Sequence, residues 1–498
     1  MDYSYPLLCA SERYPHDIAL IGRDEVVTYA ELEQRISRVA GGLAALGLAG
    51  RTVGLLMDNR PEAVEALMAL SRAGSVAVPL NPRLTSAELE YIAEDCDLEA
   101  VIAADDYLHV AQGFARVRTV VSLRADAGTD HSMAALRTAD PVSVDNSSSA
   151  GDDAPATITY TSGTTGRPKG VIRSHRANVW NVVNSALGSP RRRGEEELFN
   201  LPVFGIGFLH FLLPALLGGT AVVLDGAFAA DRVWRLLHDR AVTRTFLAPT
   251  MIARMLAQEG HEKFDCSSLH TIQTAYAMTP EARLAAVERF GDVFEYMYGL
   301  TEAQLTCASP DTFVREQGNV GRTMGVSRIA VLGPDGTRLG ADEVGQIAFS
   351  GPSVMSGYHG LPEETAAVLA DGWVLTGDLG RLSADGELHY QGRSKEMIKT
   401  GGFSVDPTEV ENTLSAICGV AAAAVVGVPD DHWGEAVVAF LVGDGASVDV
   451  QAVLARCREQ LAGFKTPKAA FVVSALPENA TGKIDRARLR ALAVERYR

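Results

Sequence analysis

Between residues 50 and 105, short apolar runs alternate with stretches whose apolar positions recur every three or four residues. Residues 53–57 read as a strand, Pro61 behind Asn59 opens a helix with Val64, Leu67 and Met68 on one face, and 76–80 read as the next strand. Thr85 and Glu88 have the spacing of a capping box, which starts a helix running to about Cys96. The same rhythm returns further on. Strands are predicted at 220–224, 243–248, near 269–274 and at 293–298, with helices near 231–239, at 250–258 and after Thr279-Pro280. Such alternation predicts mostly parallel sheets covered by helices, with ligands at the C-terminal ends of the strands.

Three stretches break the rhythm. Residues 124–153 are rich in Ala, Ser and Asp and read as a polar surface connection. From about 326 to 350, short strands with a Gly-Pro-Asp-Gly turn predict a small β-rich subdomain. A last unit begins near Gly392, with strands at 421–428, 437–441 and 471–473 and a helix around 449–461. The fold class expected is α/β, α+β overall. A large N-terminal domain of doubly wound sheets (1–391, β-rich from about 326) is followed by a hinge at 392–395 and a small mobile α+β domain at 396–498.

Composition narrows the classes. Apolar content of 47% with 21% charge is that of an ordinary globular protein. A net charge of −17, from 45 basic and 62 acidic residues, argues against nonspecific binding to nucleic acid or acidic membranes. The six cysteines are scattered, without a C-x-x-C pair, and read as reduced thiols of a cytoplasmic protein; the N-terminus has no signal-peptide pattern. Residues 201–224 carry no charge, yet two prolines, four glycines and His210 make a buried helix–turn–strand the better reading than a membrane span.

The candidate chemistry is concentrated in a few segments. Tyr160-Thr-Ser-Gly-Thr-Thr-Gly-Arg-Pro-Lys-Gly170 follows an apolar strand signal and packs glycines and hydroxyls together. Backbone N–H groups and hydroxyls of this kind (Thr161, Ser162, Gly163, Thr164, Thr165, Gly166) wrap a polyanion, and Lys169 supplies a mobile cation. It is not a Walker loop, because Gly170 stands where a Ser or Thr is required. Tyr298-Gly-Leu-Thr-Glu302 comes straight after a strand. A tyrosine ring there stacks on a purine, a threonine hydroxyl binds a phosphate and a carboxylate holds Mg²⁺ beside phosphates. In Trp373-Val-Leu-Thr-Gly-Asp378 the carboxylate offers the paired acceptors that suit a ribose diol. No H-E-x-x-H or G-x-S-x-G is present, and Gly205-x-Gly207 is not a dinucleotide fingerprint.

Taken in order, these segments closely resemble those of the acyl-adenylate-forming superfamily of acyl-CoA synthetases, adenylation domains and luciferases. The resemblance spans nearly the whole chain, from Thr28-Tyr-Ala-Glu-Leu32 through Val320-Gly-Arg-Thr-Met-Gly325 to Lys483. It implies that the 161–169 loop grips pyrophosphate, Tyr298 faces adenine, Thr301 the α-phosphate, Glu302 the metal, and Asp378 the ribose. Gly392-Arg-Ser-Lys-Glu-Met-Ile-Lys-Thr-Gly-Gly402 resembles the hinge, with Arg393 on ribose or phosphate, Lys395 at the pivot, and Gly401 and Gly402 in a loop that reaches the site only after domain rotation. Ala480-Thr-Gly-Lys-Ile-Asp485 resembles the loop of the catalytic lysine, Lys483, which stabilises charge as the adenylate forms. Asp430-Asp-His-Trp-Gly-Glu435 and Phe464-Lys-Thr-Pro467 resemble the surface that holds the nucleotide of coenzyme A, with Trp433 stacking and Lys465 pairing with a phosphate.

Departures from that pattern bear on the substrate. Pro202-Val-Phe-Gly205 lacks the histidine often found at its last position, with His210 the nearest substitute, and Thr274-Ala275-Tyr276 replaces Gly-Gly-Ala. No aspartate near 200–206 is available to pair with an α-ammonium. The expected lining, Trp180, Phe204, Gly205, Thr274, Ala275, Tyr276 and Met297, suits a compact aromatic, cyclic or polycyclic acid without an α-amino group. The expectation is an ATP- and Mg²⁺-dependent, AMP-forming acid–coenzyme A ligase, with a homodimer left open. Transfer to a carrier-protein pantetheine is the first alternative, disfavoured by the absence of an insertion at 326–360; a non-catalytic nucleotide-binding scaffold is the second.

Overall fold

Helix Pro61–Arg72 is apolar enough to be buried on nearly every side, rather than on the single face expected from Val64, Leu67 and Met68. A helix hydrophobic all round belongs inside a layered core. Its two buried charges are neutralised locally, Arg72 by Glu33 and Glu65 by Arg137 at 2.8 Å. Asn59, two residues before it, does not cap the helix; the N-cap position is Arg60, which makes no side-chain cap hydrogen bond. The Asn59 amide donates to the Leu201 carbonyl at 2.7 Å and its side-chain oxygen accepts from the Val203 N–H at 2.8 Å, fixing the segment that leads to Phe204.

The computed structural model describes the chain except for residues 143–150, 162–167, 277, 317, 394–395, 401–402, 431, 446–447, 480–482 and 498. Ser162, Gly163, Thr164, Thr165, Gly166, Lys395, Gly401 and Gly402 therefore lie outside the described residues.

The described residues form four sheets, in a large N-terminal and a small C-terminal domain. One sheet has five central parallel pairings, running from Phe294–Gly299 through Thr271–Ala275, Arg244–Phe246, Glu196–Leu198 and Ala221–Val223 to Ile18–Ile21, with antiparallel strands at both edges. A second is parallel from Pro155–Thr161 through Val76–Pro79, Thr52–Leu56 and Ala100–Ala103, and turns antiparallel at Lys169–Ser174. The α/β class and the alternation read from the sequence thus hold, and the Thr85–Glu88 capping box is formed as expected. Residues 124–142 depart from a plain surface connection. They add the edge strand His131–Ser132 and the short helix Met133–Leu136, whose Met133 is buried against the main core. The charge-free stretch 201–224 is core: a π-helical turn, Phe208–Leu212, runs into helix Leu213–Leu217 and strand Ala221–Val223. Among the described residues no helix is long and apolar enough to cross a membrane.

The β-rich sheet pairs Arg328–Leu332, Gly345–Ser350, Trp373–Leu382 and Leu388–Arg393 antiparallel. The C-terminal sheet, built on Val420–Asp430 and Gly434–Gly443, is covered by helices Pro407–Ser415 and Val450–Gln460 over one core and Arg486–Tyr497 over another.

Candidate active site

Asp378 reaches the site through a bulge. Gln346 pairs with Leu379 and Ala348 with Leu375, so Ile347 faces Thr376, Gly377 and Asp378 together. The Thr376 hydroxyl donates to the Ile347 carbonyl at 2.8 Å and accepts from the Asp378 N–H at 3.0 Å; Gly377 takes φ +74°, which only glycine holds without strain. The result is a buried carboxylate in mid-strand. The Tyr298 hydroxyl donates to its Oδ2 at 2.7 Å, and Arg393, opposite it in register, brings Nε to 3.3 Å from Oδ1 without forming a hydrogen bond. Oδ1 is left as a buried acceptor without a hydrogen bond among the described residues, which fits a ribose hydroxyl. Burial raises the Asp378 pKa, with Tyr298 and Arg393 opposing the shift. Tyr298 itself lies between Phe349 and Tyr390, at centroid distances of 6.1 and 5.3 Å.

Glu302 and Thr301 are positioned by residues far away in sequence. Glu302 Oε1 accepts from the Tyr358 hydroxyl at 2.9 Å, and its carbonyl accepts from the Met355 N–H at 2.9 Å. The Thr301 carbonyl accepts from Arg173 Nη1 at 3.0 Å. Arg173 is fully buried, and also donates to the Ser353 carbonyl at 2.7 Å and to Asn178 Oδ1 at 3.0 Å; burial pulls its pKa down to about 10, with Glu302 opposing. Lys169 lies 5.3 Å from the Tyr358 ring centre, and Thr161 and Lys169 pair directly across the antiparallel feet of the loop.

Lys483 approaches from the C-terminal domain. Its Nζ lies 4.8 Å from the centre of the Tyr276 ring. The surrounding protein and the Arg393 charge lower its pKa, while Asp378, Glu302 and Glu396 pull the other way. Residues from Thr161 to Lys483 are thus gathered at one place.

The expected acid lining is only partly assembled. Trp180 and Tyr276 are exposed, Phe204, Gly205 and Ala275 half-buried, and Met297 closed into the main core. Thr274 pairs with Tyr296 and Ala275 with Met297. Successive strand residues face opposite sides, so Thr274 cannot share a wall with Ala275 and Met297, contrary to the sequence expectation. His210 is buried on the π-helical turn. Burial, helped by the nearby Arg173 charge, pushes its pKa down to about 3; with the Asn181 amide oriented to satisfy its neighbours, that amide donates to Nδ1 at 2.9 Å. The two residues expected to meet coenzyme A are already engaged. Lys465 Nζ sits between both Glu409 oxygens at 2.6 and 2.7 Å, and Lys468 lies 4.4 Å from the centre of the Trp433 ring.

The profile of the AMP-binding enzyme family matches residues 9–359, and that of the AMP-binding enzyme C-terminal domain matches 409–483. The chain belongs to this family. Feruloyl-CoA synthase of an Amycolatopsis species is 36% identical over 480 residues, and indoleacetate–CoA ligase of Aromatoleum aromaticum 34% over 478, each covering 94% of both chains. The o-succinylbenzoate CoA synthetase of Bacillus subtilis, solved with its acyl-adenylate intermediate, has a TM-score of 0.85 and 30% identity over 97% of both chains. The protein is an AMP-forming acid–thiol ligase, using ATP and coenzyme A.

Several residues of this AMP-binding enzyme's site escaped the sequence reading. Tyr358, Arg173 and Tyr390 hold Glu302, Thr301 and Tyr298 in place. Only Tyr358 carries a local signal, the aromatic residue inside Gly357-Tyr358-His359-Gly360.

Proposed function

We propose that this ligase activates an aromatic or cyclic carboxylic acid without an α-amino group and transfers it to coenzyme A. The observation that carries the reading is the approach of Lys483 to the strand end at Tyr276, in the electrostatic reach of Asp378 and Glu302. In the first step a carboxylate oxygen attacks the α-phosphorus of ATP; the new acyl–phosphate bond forms as the bond to pyrophosphate breaks. Lys483 stabilises the charge that develops, Asp378 and Tyr298 hold the nucleoside, and Thr301 and the 161–169 loop hold the phosphates. Glu302, braced by Tyr358, would hold a Mg²⁺, which would supply positive charge to neutralise the phosphates. The C-terminal domain then turns about the 392–395 hinge, and the thiol attacks the mixed anhydride, loses its proton and releases AMP.

The acid class is supported by the relatives, whose names specify ferulate, indoleacetate and 2-succinylbenzoate, and by the lack of a carboxylate in 200–206. Six free cysteines support a reducing, cytoplasmic setting. A second reading, delivery to a carrier-protein pantetheine, is favoured by the Lys465–Glu409 pair, which leaves that lysine less free for a phosphate, and by 32% identity to a fatty acid–acyl-carrier-protein ligase of Streptomyces coeruleorubidus. Pyrophosphate release from ATP and Mg²⁺ across a panel of acids, with and without coenzyme A, tests both. Release with aryl acids and thioester formation on adding coenzyme A is expected. Preference for a long straight chain or an amino acid would sink the acid class, and release without thioester would favour the carrier.

A further inference from the structure

Tyr276 combines three properties that no other described residue of the site shares. Its backbone holds φ +76°, a left-handed conformation that a bulky L-residue rarely adopts. Its carbonyl is gripped by the Tyr296 hydroxyl at 2.7 Å, and the Tyr296 ring is covered by Arg283 at 4.6 Å, whose Nη1 donates to the Phe313 carbonyl at 2.5 Å. The constraint falls on the backbone alone. The residue follows directly on strand Thr271–Ala275 and is 52% exposed.

Lys483 meets the face of the Tyr276 ring. The backbone of Lys483 itself is held by Asn479, whose Oδ1 accepts from the Lys483 N–H at 3.1 Å and whose N–H donates to the Lys483 carbonyl at 2.8 Å. The ammonium is then free to swing on four methylenes. Among the described residues no carboxylate lies within ion-pair distance of Nζ, so the aromatic face at 4.8 Å is its nearest described anchor. A ring quadrupole attracts an ammonium without fixing its hydrogen-bond donors. Nζ therefore keeps all three N–H groups for the reacting oxygens, which a carboxylate partner would compete for.

We propose that Tyr276 is a positioning residue for Lys483, a ring platform on which the ammonium docks when the C-terminal domain stands in the adenylate-forming arrangement. The strained backbone aims the ring toward the incoming domain rather than into the protein. The inference rests on the reading of Lys483 as the lysine of adenylate formation.

The test separates the half-reactions, using the full-length protein with ferulate as probe acid, or the best acid of the panel. Adenylation is followed by ATP–pyrophosphate exchange, with kcat and the KM for the acid determined separately; thioester formation is followed from preformed acyl-adenylate and coenzyme A. Tyr276→Leu is expected to lower adenylation kcat about 10-fold, the scale of a partly desolvated cation–ring contact, and to leave thioester formation unchanged. Tyr276→Phe keeps the face and stays within about two-fold of wild type on the same scale. Tyr276→Gly relieves the left-handed backbone, so it unfolds at an equal or higher temperature while losing adenylation as the leucine variant does. In a Lys483→Ala background, Tyr276→Leu has no further effect. Unchanged adenylation kcat in the leucine and glycine variants, a loss confined to the acid's KM, or an equal loss with Lys483 absent would each overturn the platform. If Lys483→Ala alone leaves adenylation intact, the parent reading of Lys483 fails instead.

Discussion

The Tyr298 hydroxyl and the Asp378 carboxylate, 80 residues apart, share a 2.7 Å hydrogen bond that ties the ring we propose for the purine to the acid we propose for the ribose. Removing the donor by Tyr298→Phe leaves a buried carboxylate short of a partner. The expected result is a loss of about 1–3 kcal/mol in unfolding free energy and a several-fold rise in the KM for ATP. Denaturant titration and ATP-dependent kinetics check both.

Asp378→Asn separates stability from binding. Burial raises the folded-state pKa of Asp378 from its ordinary value, so its contribution is favourable only at low pH and is lost as pH rises through that raised pKa. At neutral pH the ionised group is a burden on the free protein. The amide variant, which still accepts from Tyr298, is expected to melt at an equal or higher temperature. It should bind ATP at least about 10-fold more weakly, as loss of a charged acceptor implies. Calorimetry with and without ATP distinguishes the two effects.

Lys483→Ala is expected to slow pyrophosphate exchange by about two to three orders of magnitude, the scale of removing a group that stabilises transition-state charge. Thioester formation from supplied acyl-adenylate should stay within a few-fold of wild type. Single-turnover assays of each step provide the measurement.

Acid sensitivity should trace in part to His210. Its folded pKa, about 3, lies below the unfolded value near 6.5, so the unfolded chain binds the extra proton between them. Stability from this group is complete above about pH 6.5 and falls by up to ~1.4 kcal/mol per pH unit as pH drops toward 3. His210→Gln should flatten that part of the stability–pH curve, read by denaturant unfolding at pH 7 and 5.

Arg173→Met removes a fully buried cation that holds three separate chain segments, at Thr301, Ser353 and Asn178. A loss of about 3–5 kcal/mol is expected, because the carbonyls it satisfied are left buried without a donor. Even folded variant should show weaker Mg²⁺ dependence, since Thr301 adjoins Glu302. Thermal melts and a Mg²⁺ titration of activity check each part.

Local rules carried much of this far. Pro61 at a first turn and the Thr85–Glu88 box act through their own backbone, and the sequence locates their helices to within a residue or two. Asp378, Glu302 and Lys483 stand out in the sequence because each sits in a short ordered motif. What stayed hidden depends on chain segments meeting across long separations. Arg173 reaches Thr301 over 128 residues, and Glu409 takes up Lys465 over 56. Thr274 is a different case: alternation along its strand already assigns it to the face opposite Ala275, and a strict period-two reading would have removed it from the acid wall.

The bulge at Thr376–Asp378 means that the buried Asp378 carboxylate is specified by a count as well as by a residue type. Gln346–Leu379 and Ala348–Leu375 are in register only because the segment facing Ile347 has its present length. Deleting one residue there would shift parity and turn one flank of strand Trp373–Leu382 inside out, moving either Asp378 or Val374 to the wrong face. Substitutions can tune the surroundings of Asp378 gradually. Insertions and deletions within its bulge are all-or-none, and homologues that keep the site must keep the length of this segment.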